Sequence, residues 1–320
     1  MFSFLKIRGL RETISLLVIL ALALTPPICA LLDNSFYVGV VNNMMIFAVA
    51  AVALNLILGY GGMISFGHAA YIGIGAYCVG IPAYYDMTNG WLHLAYTIFF
   101  CGAFAFVTGA ISLRTKGVHF IMITMAFAQM AFYAFISLEE YGGDDGLVIY
   151  DRSVFTSLID LEDDLVFYYV TLAVLLGVVV ITWQIMRSRF GMVIKGAKGN
   201  EARMKALGFN CYAYRLTAYV ISGILCGLAG MLLANRDLFI SPEIMDWTRS
   251  GELMFMVILG GTGSLFGPIL GAGVFKILEE VLSNIWHHWH LIFGVFLVAV
   301  VLYAPKGLDS LMDIGKKKND

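Results

Sequence analysis

The sequence predicts an all-α fold, a polytopic membrane helical bundle with about ten membrane-inserted helices, and three observations carry that expectation. Composition comes first: 60% of the residues are hydrophobic and 13% charged, against roughly 25% charged in soluble domains, and the mean hydropathy is +0.84. A soluble globule cannot hide that much apolar surface. Second, apolar runs long enough to cross a bilayer, which takes about 20 residues, recur along the chain with only short polar breaks. Third, basic residues gather in a few short loops and acidic residues in another, the asymmetry that orients membrane helices.

Taken in order, the spans are expected at 12–32, 37–58, 62–82, 91–113, 118–138, 166–186, 212–235 and 286–304. Lys6, Arg8 and Arg11 precede the first apolar run, a pattern shared with secretory signal peptides. Because a series of spans follows, an uncleaved first helix kinked at Pro26-Pro27 is expected. The segment 250–283 is broken by "GGTGSLFGP", Gly260 to Pro268, leaving a short first half and a longer second.

Of the 20 basic residues, three precede the first span, two are Arg114 and Lys116, six lie between Arg187 and Lys205, and four follow Pro305. All four regions, and with them both termini, are expected on the cytoplasmic side. The stretch Glu139 to Asp164 has nine acidic residues and one basic, Arg152, and is expected outside. The segment 250–283 must then enter and return, either by re-entry or by crossing twice. The expected organisation is a single transmembrane domain over 1–310, with a cytoplasmic arm at 187–210, an outer acidic loop at 139–165 and a cytoplasmic tail at 311–320.

The net charge of −2 makes nucleic acid a poor partner. The five cysteines stand singly in apolar segments with no CxxC pair, so they read as packing residues rather than a disulfide framework or zinc site.

Two glycine-rich stretches interrupt the apolar pattern: "GGMISFGHAAYIGIG" at 61–75 and "GGTGSLFGPILGAG" at 260–273. Paired interruptions in the two halves of a chain mark transporters built from structural repeats, with the substrate path between them. Close packing of helix backbones explains glycine spacing equally well. On the first reading, loosened backbone at 59–75 lines a path. The candidates are Gly61, Gly62, Ser65, Phe66, Gly67, His68, Gly260, Gly261 and Gly263, with the membrane-depth polar residues Asn55 and Gln129. Lys276 is expected to pair with Glu279 or Glu280 near the outer surface. For each polar residue, a helix-to-helix hydrogen bond competes with substrate contact.

The longest basic segment, "RSRFGMVIKGAKGNEARMKALGFN" at 187–210, contains Asn200 as an N-cap and Gly208 as a helix stop, so Glu201 to Leu207 should form two helical turns. This reads as a docking knob or, more plainly, as a solvated loop that fixes topology.

The glycine-rich segment at 55–77, the "SRFG…NEARMKALG" arm, and "GGTGSLFGPILGAG" followed by "ILEEVLS" occur in an order that resembles the LivM-type inner-membrane permease of bacterial branched-chain amino-acid ABC importers. The resemblance runs from about residue 37 to 308. It implies import of leucine, isoleucine or valine, or in related permeases of urea or short amides. It also implies a heterodimer with a second permease, two ABC ATPase subunits and a periplasmic substrate-binding protein. By the same resemblance, Asn200, Glu201, Ala202, Arg203 and Gly208 form the ATPase-coupling helix, with Arg203 standing where the simplest pattern has alanine. No GxxxxGK[ST] phosphate loop occurs in the sequence. The expectation is therefore a transport subunit without catalytic residues, metal or cofactor, with ATP and Mg bound by its partners.

Other motifs keep rivals open. "WHHWH" at 286–290 suggests an intramembrane metalloenzyme or, with its tryptophans, an interfacial belt. His68 or Glu279 would serve as proton site in a secondary transporter or channel driven by the membrane potential. The acidic loop, with "YGGDDGL" and "DLEDD", offers charge to orient a docking protein, or is simply solvated.

Overall fold

The computed structural model describes residues 10–31, 36–155, 161–285, 288–303 and 307. The basic residues at 6 and 8, Trp286 and His287 of the WHHWH motif, and the tail 311–320 lie outside the described residues.

The predicted helical bundle is what forms. Its helices are α1 (Leu10–Leu31), α2 (Phe36–Asn55), α3 (His68–Tyr84), α4 (Gly90–Ser112), α5 (Val118–Ile136), α6 (Asp164–Arg187), α7 (Arg189–Gly199), α8 (Glu201–Ala206), α9 (Cys211–Asp237), α10 (Trp247–Gly260), α11 (Gly267–Ile285) and α12 (Trp289–Tyr303). Among the described residues, five helices are long and apolar enough to cross a membrane: α2 with its extension to Tyr60, α4, α5, α6 and α9. One boundary differs from expectation. The third span begins at His68, because 61–67 is not helical. The segment 250–283 breaks where the glycines were expected to break it, forming two helices, α10 and α11, joined by a turn at 261–266.

α2 is the axial element. Every residue from Val49 to Leu54 is fully buried, which fits a helix that is apolar all round. It is enclosed by α6, α9, α10 and α11, while α9 also packs across α3 and α4. Helices in lipid gain little from apolar burial against one another, so tight association relies on close backbone approach at small residues. The α3–α9 crossing is such a place. A Cβ at Gly75 would lie 2.1 Å from the Gly227 carbonyl oxygen, and one at Gly230 1.9 Å from that of Ile72. The expectation that all of 59–75 is loosened therefore needs correction: loosening stops at Gly67, and the later glycines serve packing. The five cysteines are buried and free.

The acidic loop is stapled rather than free along its described part. β1 (Leu147–Val148) pairs antiparallel with β2 (Phe239–Ile240), just beyond α9. The Ser153 N–H donates to Asn235 Oδ1 at 2.7 Å, and Ser153 Oγ lies 2.7 Å from His93 Nδ1. Leu147, Ile149 and Leu161 point inward, whereas Glu139, Glu140, Asp144 and Asp145 are exposed. This end of the molecule is called the acidic end below, and the opposite one the arm end.

Replacing Gly230 with alanine should cost about 1–3 kcal/mol through overpacking. A lower midpoint in thermal unfolding of the detergent-solubilised protein would show it, while Gly177→Ala, which meets nothing within 4 Å, should leave the midpoint unchanged.

Candidate functional site

The two glycine-rich interruptions meet. At the end of α2 the helix widens into a π turn, Leu56–Tyr60, which leaves backbone groups that need other partners. Asn55, buried at the start of that turn, reaches the other interruption: its Nδ2 donates to the Ser264 carbonyl at 2.7 Å, and its Oδ1 accepts from the Gly263 N–H at 3.0 Å. One side-chain amide thus satisfies a donor and an acceptor in the α10–α11 turn. Gly59 has room for no side chain, since a Cβ there would lie 2.4 Å from the Gly263 nitrogen. Its carbonyl accepts from Lys198 Nζ of α7 at 2.6 Å. Gly61 closes the π turn, and Gly62 (φ +68°) lies exposed against the Lys198 stem. Gly260 and Gly261 are buried where α10 ends. The predicted set Asn55, Gly61, Gly62, Gly260, Gly261 and Gly263 is therefore one cluster at the arm end.

A second cluster follows along the same break. Ser222 of α9 donates to the Ala53 carbonyl at 2.6 Å, so its oxygen accepts from His68 Nε2–H at 3.0 Å. His68 Nδ1 is then the acceptor for Ser65 Oγ–H at 3.2 Å, and Ser65 Oγ in turn accepts from the Gly67 N–H. Both ring nitrogens are matched by a neutral imidazole. Tyr71 and Tyr219 close over the ring edge-on, with centroids at 5.2 and 5.8 Å. The Phe66 N–H donates to Thr124 Oγ1, the Phe66 ring lies 6.3 Å from Trp247, and the Ala69 N–H donates to Ser250 Oγ. Gln129 belongs to the edge of this cluster: its Nε2 donates at 2.7 Å to Asp246 Oδ1, which also caps α10 through the Trp247 N–H. Ser65, Gly67 and His68 are buried, whereas Gly62 and Ile64 are the exposed positions of the break.

The arm is fastened by one carboxylate. Asn200 caps α8 by accepting from the Arg203 N–H at 2.9 Å, as its position predicted. Glu201 does not project outward. It pairs with Lys116 (2.6 Å), Lys205 (2.8 Å) and Arg215 (3.0 Å), and these cations, Lys116 and Lys205 foremost, hold its carboxyl down at about 2. Arg215 also donates to the Ala197 carbonyl. Ala202, Arg203, Leu207 and Phe209 form the exposed face. Between arm and break lies a cavity of about 180 Å³ lined by Gly62, Ile64, Lys116, Phe120, Glu201 and Arg215.

Lys198, Arg215, Ser222, Thr124 and Asp246 were not among the sequence candidates. Ser222 carried a signal, a hydroxyl at membrane depth within "ISGILCG". Arg215, a cation in the first turns of a span, carried another.

Two measurements follow from this geometry. In single-cysteine variants, Ile64→Cys should react with a water-soluble maleimide in this conformation, and Ser65→Cys should not. Glu201→Gln should destabilise the arm by about 1–2 kcal/mol, the exposed lysines being largely screened, read as faster proteolysis between α7 and α9. A lowered carboxyl pKa stabilises the fold above the ordinary value of 4.5 and loses that contribution as pH falls toward about 2. The difference between the two proteins should therefore be constant near neutrality and shrink below about pH 4.5.

The family model described as branched-chain amino acid transport system / permease component matches residues 36–303. The high-affinity branched-chain amino acid transport system permease protein LivM of Salmonella typhimurium is 26% identical over 295 residues, covering 85% of this chain and 69% of that protein. The probable branched-chain amino acid transport permease protein LivM of Methanocaldococcus jannaschii is 24% identical over 318 residues, covering 82% and 90%. The fructose import permease protein FrcC of Rhizobium meliloti is 25% identical over 144 residues, covering 42% and 40%. No solved structure matches the chain. With a family match over most of its length and a helical bundle whose two interruptions interlock, the chain belongs to the branched-chain amino acid transport system permease family and is a LivM-type membrane permease.

Proposed function

We propose that the protein is the membrane-spanning subunit of an ABC importer that carries branched-chain amino acids across a bacterial inner membrane, with ATP hydrolysed by partner subunits. The observation that carries this reading is the path of contacts from α8 to the two breaks. α8 presents Ala202, Arg203 and Leu207 outward, Glu201 locks it to α9 and the α4–α5 turn, and Lys198 joins the adjoining α7 to the Gly59 carbonyl. Asn55 continues the connection to the α10–α11 turn. A force on α8 has a rigid route to the two places where the backbone departs from regular helix, a departure tolerated at membrane depth only where protein or water covers it.

On this reading the arm end is cytoplasmic, both termini lie there, and the acidic end receives a periplasmic binding protein. The chain is one transmembrane domain, 1–310, with a tail at 311–320. A second related permease completes the path, and two ATPases dock on the arms. ATP binding drives alternating access through its different affinities for the two conformations. The FrcC relative would allow a sugar substrate, but its similarity covers less than half of this chain, and the longer matches are to LivM proteins.

Affinity purification of the tagged protein from its host should recover ATPase subunits. The variant Arg203→Glu/Leu207→Asp changes only exposed residues of the arm and should lose those subunits, about a hundredfold in affinity if the docking contact resembles an interface hot spot, while the permease remains folded. Recovery of an active transporter without ATPases, with uptake abolished by uncouplers, would replace this reading with a secondary transporter.

A further inference from the structure

A second cavity, of about 220 Å³, lies between α2, α3, α9, α10 and α11 and is lined by Arg236, Asp237, Arg249, Lys276 and Glu279. Drug-sized ligands occupy pockets of about 300–1,000 Å³, so this one suits a small metabolite. Lys276 stands beside the last turn of α9, where Arg236 and Asp237 precede β2, and so lies toward the acidic end of the molecule. It is 7% exposed. Burying an ammonium is costly unless it is paired.

The charges come in opposite pairs. Lys276 Nζ lies 2.7 Å from Glu279 Oε2 and 3.8 Å from the centroid of the Phe47 ring. Arg249 Nη1 lies 3.1 Å from Glu252, and Arg236 bonds Asp237. Pairing of this kind keeps the cavity stable when empty, because no charge is left alone in a low dielectric. It also sets a rule for any occupant. A molecule with one charge leaves a partner unmatched, whereas a molecule with a positive and a negative end inserts between the pairs without changing the total. The remaining walls are Asn43 and the apolar Phe47, Ile72, Leu233 and Ile244.

We propose that this cavity is a binding site for an apolar zwitterion, with the carboxylate taken by Arg249 and Lys276, the ammonium by Asp237 and Glu279, and the aliphatic side chain held by Phe47, Ile72 and Ile244. It rests on the import reading for its physiological ligand, and it places part of the substrate selection on this chain itself. Singly charged relatives of the substrate are rejected here because they leave a charge unmatched, and uncharged polyols because they offer no charge to repay opening the pairs.

The test uses the transporter purified with its partner subunits, reconstituted in proteoliposomes without binding protein, and carrying Ile244→Cys. L-Leucine should slow maleimide labelling about tenfold at ten times its dissociation constant. Leucinamide, which lacks the carboxylate, 4-methylpentanoate, which lacks the ammonium, and fructose should not. The charge-neutral pair Lys276→Gln/Glu279→Gln should weaken protection about tenfold or more, with Phe47→Cys as a second reporter of occupancy. Equal protection by fructose or by either truncated analogue, absence of protection, or failure of both cysteines to label would overturn the proposal. ATP-driven leucine uptake in the same vesicles is scored separately. Uptake without protection removes the site and leaves the import reading intact; protection without ATP-driven uptake does the reverse.

Discussion

The structure depends on a requirement imposed by lipid: every backbone polar group at membrane depth must find a partner within the protein. Two segments of this chain give up regular helix, and each would be untenable alone. The Asn55 amide makes them tolerable together by bonding one donor and one acceptor of the second break from the end of the first. The Ser222–His68–Ser65 relay does the same for the return into α3. Irregularity in this molecule is shared between distant parts of the sequence, and the axial helix α2 leads into the first of the two breaks.

Much of the fold was legible because lipid simplifies the reading. Runs of apolar residues of the right length gave the long helices, and the predicted starts of α2, α4, α5, α6 and α9 fall within two residues of those formed. Glycine was harder to interpret, since the same residue serves a break at 61–67 and a tight helix crossing at Gly75 and Gly230. Local pattern cannot separate these uses, because what distinguishes them is the neighbour that comes close. The helical start at His68, with its ring satisfied by a serine 154 residues away, is a tertiary fact of this kind.

The site was legible in its membership more than in its roles. Asn55 and Gly263 were both candidates, yet nothing in either segment announced that they touch. Glu201 was placed in the coupling helix through the resemblance, and what no local pattern announced is that its carboxylate holds three cations that fasten the arm. Its neighbours Ala202 and Arg203 are exposed. Long-range charge pairing of the Arg215–Glu201 type leaves no periodic trace in sequence. Lys276 and Glu279, three residues apart on one helix, do leave such a trace, and their pairing was foreseen.

The single bond from Lys198 to the Gly59 carbonyl has a thermodynamic corollary. A connection that lets events at the arm bias the geometry of the breaks must act equally in the other direction, because coupling between two binding equilibria is reciprocal. A solute that prefers one arrangement of the breaks must change the affinity of whatever holds the arm by the same factor. On the proposed import reading, the lysine would make the membrane interior legible to a protein that never enters it, and a loaded transporter distinguishable from an empty one at its surface.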